Sequence, residues 1–100
     1  MRTLTAEQVR QQLEEEQKQL NIVDVREDEE VAEGKIPDAI HIPLGSIEDR
    51  KEELDKAKEY IMVCRSGGRS GRASEFLESE GYNVINMEGG MLAWEGKTDK

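Results

Sequence analysis

"YIMVCRSGGRSGRASEF" (Tyr60–Phe76) carries the pattern from which the fold class can be predicted. It opens with a short apolar run of the kind that forms a strand buried on both faces of a sheet. From about Gly68 to Glu80 the pattern becomes helical, with apolar residues on one face and Gly81 as the stop signal. A strand followed directly by a helix is the unit of α/β domains with parallel sheets.

The same alternation extends to both sides of this stretch. Thr5 and Gln8 have the spacing of a capping box, which predicts a first helix running to about Lys18. Short connections join further strands and helices, so we expect one α/β domain over residues 1–100 with a mainly parallel sheet. The other predicted strands are Leu20–Val25, Ala39–Leu44 and Tyr82–Met87, and the other predicted helices are an acidic one ended by Gly34, Ile47–Ala57 with Ser46 as its cap, and a short one opening at Gly89.

Composition argues against several classes of protein. The 100 residues carry 14 Lys and Arg against 23 Asp and Glu, a formal net charge of -9, which disfavours a nucleic-acid-binding surface. No apolar run approaches the roughly 20 residues of a membrane span, and none near the start fits a signal peptide. One cysteine and one histidine exclude an internal disulfide and make a metal site unexpected. We therefore expect a cytoplasmic protein with no metal, no cofactor and neither nucleic acid nor membrane as a partner.

Cys64, the single cysteine, lies between the predicted strand and the predicted helix. Ligands of open parallel sheets bind at such strand ends. The first amides of the helix, together with Arg65 and Arg69, would stabilise a thiolate. Gly67 and Gly68 can adopt positive φ, which lets successive amides converge on one point. The stretch therefore predicts a nucleophilic cysteine that acts on a small, oxygen-rich anion.

Each of these residues also has a purely structural interpretation. A lone cysteine after a buried strand is most often a small core residue, and a glycine pair is most often a turn. Arginines on an acidic protein are most often solvated, which is the interpretation we keep for Arg72. The conjunction of all these features in one loop favours the functional interpretation.

"VCRSGGRS" (63–70) closely resembles the active-site loop of single-domain rhodaneses, which are sulfurtransferases. Three other stretches resemble signatures of that family in the right order, and the resemblance covers about Leu20–Trp94. It implies a rhodanese-like fold, with a mainly parallel central sheet of about five strands and helices on both faces. The three stretches are "IVDVRE" (22–27), "KIPDAIHIPL" (35–44) and "GGMLAW" (89–94).

The resemblance also implies a mechanism. Cys64 would attack the outer sulfur of a donor such as thiosulfate and become a persulfide, which cyanide or an acceptor thiol would then discharge. The loop amides would hold the extra sulfur, and the arginines would steer the sulfonate end of the donor. Asp24 and Arg26 would stabilise the fold near the site. The implied substrate-binding residues are Arg65, Ser66, Gly67, Gly68, Arg69 and Ser70.

Two alternative functions stay open. In rhodaneses the arginine follows the cysteine by five positions, as Arg69 follows Cys64, whereas in the related phosphatases it follows by six, the position of Ser70 here. The loop also contains no acidic residue, so a phosphatase or arsenate reductase is disfavoured. The second alternative is a persulfide carrier or interaction module with little turnover. With no second cysteine, the acceptor must come from outside: a small thiol, cyanide or the thiol of a partner protein.

Several residues are left without an assigned role. The hydroxyls of Ser66 and Ser70 could either donate to the bound sulfur or cap the helix, and the sequence does not separate these roles. Trp94 is expected to be largely buried. Asp38 stands where the family commonly has glycine, and Gly71 is a poor helix former in the first helical turn.

Overall fold

The computed structural model describes all 100 residues, Met1–Lys100. It contains five strands, four short α-helices and several single turns of other helix types. The strands are β1 (Arg2–Thr5), β2 (Asn21–Asp24), β3 (Ile40–His41), β4 (Glu59–Val63) and β5 (Asn83–Glu88). The α-helices are α1 (Ala6–Arg10), α2 (Asp28–Ala32), α3 (Ile47–Arg50) and α4 (Gly68–Ser79), with a π-helical turn at Gln11–Glu15 and 3-10 turns at Leu44–Ser46, Lys51–Glu53 and Gly90–Ala93.

All five strands pair in parallel in one sheet, in the order β1-β5-β4-β2-β3. The predicted α/β class and parallel sheet are confirmed. β4 lies at the centre, between β5 and β2, and its run from Tyr60 to Val63 is buried on both faces, as its unbroken apolar pattern predicts. The carboxyl end of β4 therefore lies at the middle of one edge of the sheet, and Cys64 is the first residue after it.

Helices cover both faces of the sheet. On one face a cluster of 12 buried residues includes Ala73 and Leu77 of α4. On the other face a cluster of nine includes Ala6 and Val9 of α1. The capping box predicted at the start of α1 is present, since Thr5 and Gln8 exchange hydrogen bonds of 2.8 and 3.1 Å. None of the helices has the length and apolar character needed to cross a bilayer.

The region after β3 differs from the prediction. The single helix expected over Ile47–Ala57 ends as α3 at Arg50 and continues only as a 3-10 turn, and Ser46 makes no capping bond through its side chain. The chain becomes extended at Leu54, which is buried, and Asp55 then accepts a 2.8 Å hydrogen bond from the Ala57 amide. Such local side-chain bonds compete with helix formation.

Three smaller features concern β1, Trp94 and Asp38, of which the first two differ from the prediction. The strand β1 was not predicted as a separate element, because it is an exposed edge strand with little apolar character. Trp94 is only partly buried, since its indole N–H reaches outward to the Lys97 carbonyl at 3.0 Å. Asp38 has a φ of +66°, the left-handed conformation that glycine adopts at no steric cost.

Candidate active site

The loop between β4 and α4 wraps around the sulfur of Cys64. The residue is fully buried. Its Sγ accepts hydrogen bonds from the Gly67 amide at 3.0 Å and from the Ser70 hydroxyl at 3.3 Å. Gly67 has a φ of +104°, so it makes the turn that brings its N–H back to the sulfur. The positive φ expected of both glycines is found at Gly67 but not at Gly68.

The turn at Gly89–Leu92 fixes the base of this loop. The amides of Met91 and Leu92 donate 2.9 Å hydrogen bonds to the carbonyls of Cys64 and Arg65 respectively. The C=O and N–H of a trans peptide point in opposite directions. Because the carbonyls of Cys64 and Arg65 face the turn, the amides of Arg65 and Ser66 face away from it. A Cβ atom at Gly90 would lie 2.5 Å from both carbonyl oxygens, which explains why this close approach requires glycine.

The hydrogen bonds of the loop make Cys64 more acidic than an ordinary cysteine. Burial by itself raises the pKa of a thiol, because it disfavours the charged form. The Ser70 hydroxyl and the nearby backbone amides of Ser70, Gly67 and Ser66 stabilise the thiolate, and they outweigh burial, so the pKa of Cys64 lies below its usual value. The thiolate, which is the nucleophilic form, is therefore favoured.

Asn86 on β5 is a site residue that the sequence analysis missed. Its side chain is buried, its Nδ2 donates to the Gly67 carbonyl at 3.1 Å, and its Oδ1 accepts from the Ser70 hydroxyl at 2.5 Å. The Gly67 carbonyl can only accept, which determines how the amide is oriented. The sequence did contain a signal for this role: Asn86 is a polar residue within a predicted buried strand, and a buried polar group needs a hydrogen-bond partner.

Glu30 on α2 is the second residue that was missed. Both of its carboxylate oxygens accept from the guanidinium of Arg69, at 2.7 and 2.8 Å. This bidentate contact lowers the pKa of Glu30 to about 2 and raises the pKa of Arg69. Arg69, which was predicted to bind the donor, is thus already paired across the loop. The two residues are 39 positions apart in sequence, so no local pattern indicates the contact.

Asp24 and Arg26 form a buried ion pair at the end of β2. The Arg26 Nη2 lies 2.8 Å from Asp24 Oδ2 and also donates to the Gly34 carbonyl at 2.7 Å. The Asp24 carboxylate in turn accepts from the Arg26 amide at 3.0 Å. The pair connects β2 to the segment after α2 and makes no hydrogen bond to Cys64.

The remaining predicted residues lie at the surface of the loop. Arg65 and Ser66 are exposed, and the Ser66 hydroxyl makes no hydrogen bond within the chain. The N-cap of α4 is Gly67, with no side-chain cap, so neither serine has the capping role that the sequence left open. Arg72 is exposed, as expected for a solvated arginine. Gly71 is buried, and a Cβ there would lie 3.5 Å from Asn86 Nδ2, which is an ordinary van der Waals distance, so the packing of α4 on β5 does not itself require glycine.

A parallel α/β sheet that carries a buried, hydrogen-bonded thiol at the end of its central strand defines an α/β domain with a cysteine loop at the carboxyl edge of its sheet. Comparison with known proteins identifies the family. The model of the Rhodanese-like domain family matches residues 5–97, and the chain belongs to this family.

Two relatives and one solved structure illustrate the similarity. The chain is 55% identical over 80 residues to "Putative sulfurtransferase YtwF" of Bacillus subtilis (strain 168), covering 80% of this chain and 78% of that protein. It is 42% identical over 74 residues to "Sulfurtransferase" of Allochromatium vinosum, covering 73% of this chain and 69% of that protein. The crystal structure of a rhodanese-like domain protein from Staphylococcus aureus has a TM-score of 0.90 and 41% identity, covering 97% of this chain and 94% of that one. Sulfurtransferases are thus among its relatives.

Proposed function

We propose that this protein is a thiosulfate sulfurtransferase that moves sulfane sulfur to cyanide or a thiol through a persulfide on Cys64. The observation that carries the proposal is the position of the Cys64 sulfur, which accepts hydrogen bonds from the Gly67 amide and the Ser70 hydroxyl. In a persulfide the negative charge lies on the terminal sulfur, which we expect to be held by the amides of the same loop. The family membership supports the same chemistry.

The proposed cycle has two steps. The Cys64 thiolate attacks the outer sulfur of thiosulfate, a new S–S bond forms, and the S–S bond of the donor breaks to release sulfite. Cyanide or an acceptor thiolate then attacks the terminal sulfur, which leaves as thiocyanate or as a new persulfide while the Cys64 thiolate is restored. Because the chain has no second cysteine, the acceptor comes from outside, either as a small molecule or as the thiol of a partner protein.

The carboxyl groups near the loop do not fit phosphatase chemistry. A phosphatase of this kind needs a protonated acid near the cysteine to supply the leaving oxygen with a proton. Glu30 contacts the loop, but its pKa of about 2 keeps it ionised at neutral pH. The loop itself contains no acidic residue between Cys64 and Arg69.

The first experiment is intact-mass measurement of the reduced protein after incubation with thiosulfate and removal of the donor. We expect the wild type to gain one sulfur atom and to lose it to cyanide as thiocyanate, and Cys64→Ser to gain nothing. A wild type that loads but discharges only slowly to cyanide and small thiols would indicate the carrier alternative. A wild type that stays unmodified with several donors but hydrolyses an aryl phosphate would replace the proposal with a phosphatase.

A further inference from the structure

The guanidinium of Arg69 is held by a carboxylate that is itself fixed in place. Glu30 contacts it through both oxygens, at 2.7 and 2.8 Å, and Oε1 of Glu30 also accepts from the Glu27 amide at 3.0 Å. Both side chains of the pair are mostly buried, with exposed fractions of 27% and 28%. The carboxylate is therefore a permanent part of the charge distribution around the loop, because two donors from different elements hold it.

The charges at this edge of the loop are balanced. A cleft of about 250 Å³ borders the loop, and the charge of one of its residues, Arg26, is already compensated by Asp24. Of the other charged lining residues, Glu30 is paired with Arg69, which does not line the cleft, and Arg65 and Glu33 carry one charge of each sign. The cleft is lined by Arg26, Glu30, Glu33, Arg65, Met91 and Leu92. No excess of positive charge is left to attract a strongly negative donor.

Resting on the sulfur transfer proposed for Cys64, we propose that Glu30 is a specificity-determining residue that disfavours donors with two negative charges relative to donors with one. The reason is electrostatic, since the energy between a fixed carboxylate and a donor is proportional to the donor's charge. Thiosulfate, a dianion, feels the repulsion twice as strongly as a thiosulfonate or a persulfide, which are monoanions. Glu30 therefore shifts the preference of the site towards singly charged organic sulfane compounds, while thiosulfate remains a donor.

The two donor classes lead to the same enzyme product. Thiosulfate loses its outer sulfur to Cys64 and leaves as sulfite, and methanethiosulfonate loses its outer sulfur in the same way and leaves as methanesulfinate. A persulfide donor transfers its outer sulfur and leaves as a thiolate. In each case one S–S bond forms and one breaks. The ratio between donors consequently reports the first step alone, since the acceptor step is common to all.

The test compares kcat/KM for thiosulfate with kcat/KM for methanethiosulfonate, using cyanide as the acceptor for both. Glu30→Gln removes the charge but keeps an oxygen that can accept from Arg69. We expect the thiosulfate-to-thiosulfonate ratio to rise roughly three- to tenfold in this variant. Glu29→Gln is the matched control, because Glu29 lies on the same helix, is exposed and does not line the cleft. Its ratio should change less than twofold.

A second measurement does not depend on sulfur transfer. The alkylation rate of Cys64 by iodoacetate, an anion, relative to that by neutral iodoacetamide reports the field at the sulfur, and we expect this ratio to rise in Glu30→Gln only. A higher alkylation ratio with an unchanged donor ratio overturns the specificity proposal. An unchanged alkylation ratio, or equal effects in Glu29→Gln, overturns its electrostatic basis. If the wild type accepts sulfur from neither donor, the proposed function fails together with the specificity, even where the alkylation ratio responds.

Discussion

The hydroxyl of Ser70 lies 3.3 Å from the sulfur of Cys64, in the first turn of the helix that follows the loop. This oxygen is one of the donors that keep the pKa of the thiol below its usual value. Its own position is set by Asn86 at 2.5 Å. The reactivity of the cysteine therefore depends on two side chains as well as on the backbone of the loop.

Replacing Ser70 by alanine should raise the pKa of Cys64. A hydrogen bond to a charged group contributes about 1.5–3 kcal/mol, and Ser70 shares its single proton with Asn86, so we expect its loss to cost the thiolate an amount at the lower end of this range. The measurement is the rate of alkylation by iodoacetamide as a function of pH. Ser66→Ala is the control, because its hydroxyl bonds to nothing in the chain while its amide is retained. A titration midpoint that is the same in both variants would contradict the role of Ser70.

Asn86→Ala should destabilise the fold by about 1–3 kcal/mol, because it removes the two hydrogen bonds that this buried amide makes to the Gly67 carbonyl and the Ser70 hydroxyl. Urea unfolding measures the loss. Asn83→Ala removes the same side chain from the exposed start of β5 and should change the free energy of unfolding by less than about 0.5 kcal/mol. Equal losses in the two variants would mean that the network adds nothing.

Gly90→Ala should disturb both stability and the reactive loop. The new Cβ would lie 2.5 Å from the carbonyls of Cys64 and Arg65, and the residue has a φ of +57°. Left-handed conformation and backbone overlap together should cost on the order of 2–4 kcal/mol. Gly45→Ala serves as the control, since a Cβ there meets nothing within 4 Å. Thermal unfolding of the two variants checks the prediction, and a Gly90→Ala protein as stable as Gly45→Ala would refute it.

Glu30→Gln should lower stability at neutral pH but not in strong acid. The pKa of Glu30 falls from 4.5 to about 2 on folding, so its ionised form stabilises the folded state. The sign follows directly: the contribution is fully present above about pH 4.5 and is lost as the pH falls through about 2. Urea unfolding of wild type and variant at a series of pH values should give curves that converge in acid. A difference independent of pH would show that the carboxylate charge is not the cause.

Asp24→Asn should be strongly destabilising, by about 3–5 kcal/mol, because it leaves the buried guanidinium of Arg26 without a counter-charge. The double variant Asp24→Leu/Arg26→Met removes both charges and should be less destabilised than the single variant. Chemical unfolding of the two proteins gives the comparison. If the double variant is the less stable one, the pair contributes net stability through its bonds to the backbone, such as that to Gly34.

The sequence predicts the fold well where the pattern is local and apolar. The buried run Tyr60–Val63 identified the central strand, and the helical pattern after Gly68 identified α4 within one residue of its end. The edge strand β1 escaped notice because an exposed strand with polar side chains carries no such pattern. The early end of α3 was not predicted because Ile47–Ala57 contains no glycine or proline to mark it.

The candidate site was predictable only in its contiguous part. The residues from Cys64 to Ser70 could be read as one loop, and the role of Gly67 follows from its need for positive φ. Asn86 and Glu30 reach the loop from other elements and appear only when the sheet brings these elements together. Long-range pairing of this kind leaves no spacing in the sequence from which it could be inferred.

The order of the strands has a consequence for how the protein matures. β1 pairs with β5, and the carbonyls of Cys64 and Arg65 are held by amides as late as Leu92. A growing polypeptide therefore carries an ordinary thiol until nearly the whole domain has left the ribosome, because contacts this distant in sequence form late. The thiol becomes more acidic only when the whole domain has folded around the loop. We therefore expect newly made chains to react slowly with sulfur compounds and oxidants until the domain is complete, since an unactivated thiol reacts slowly.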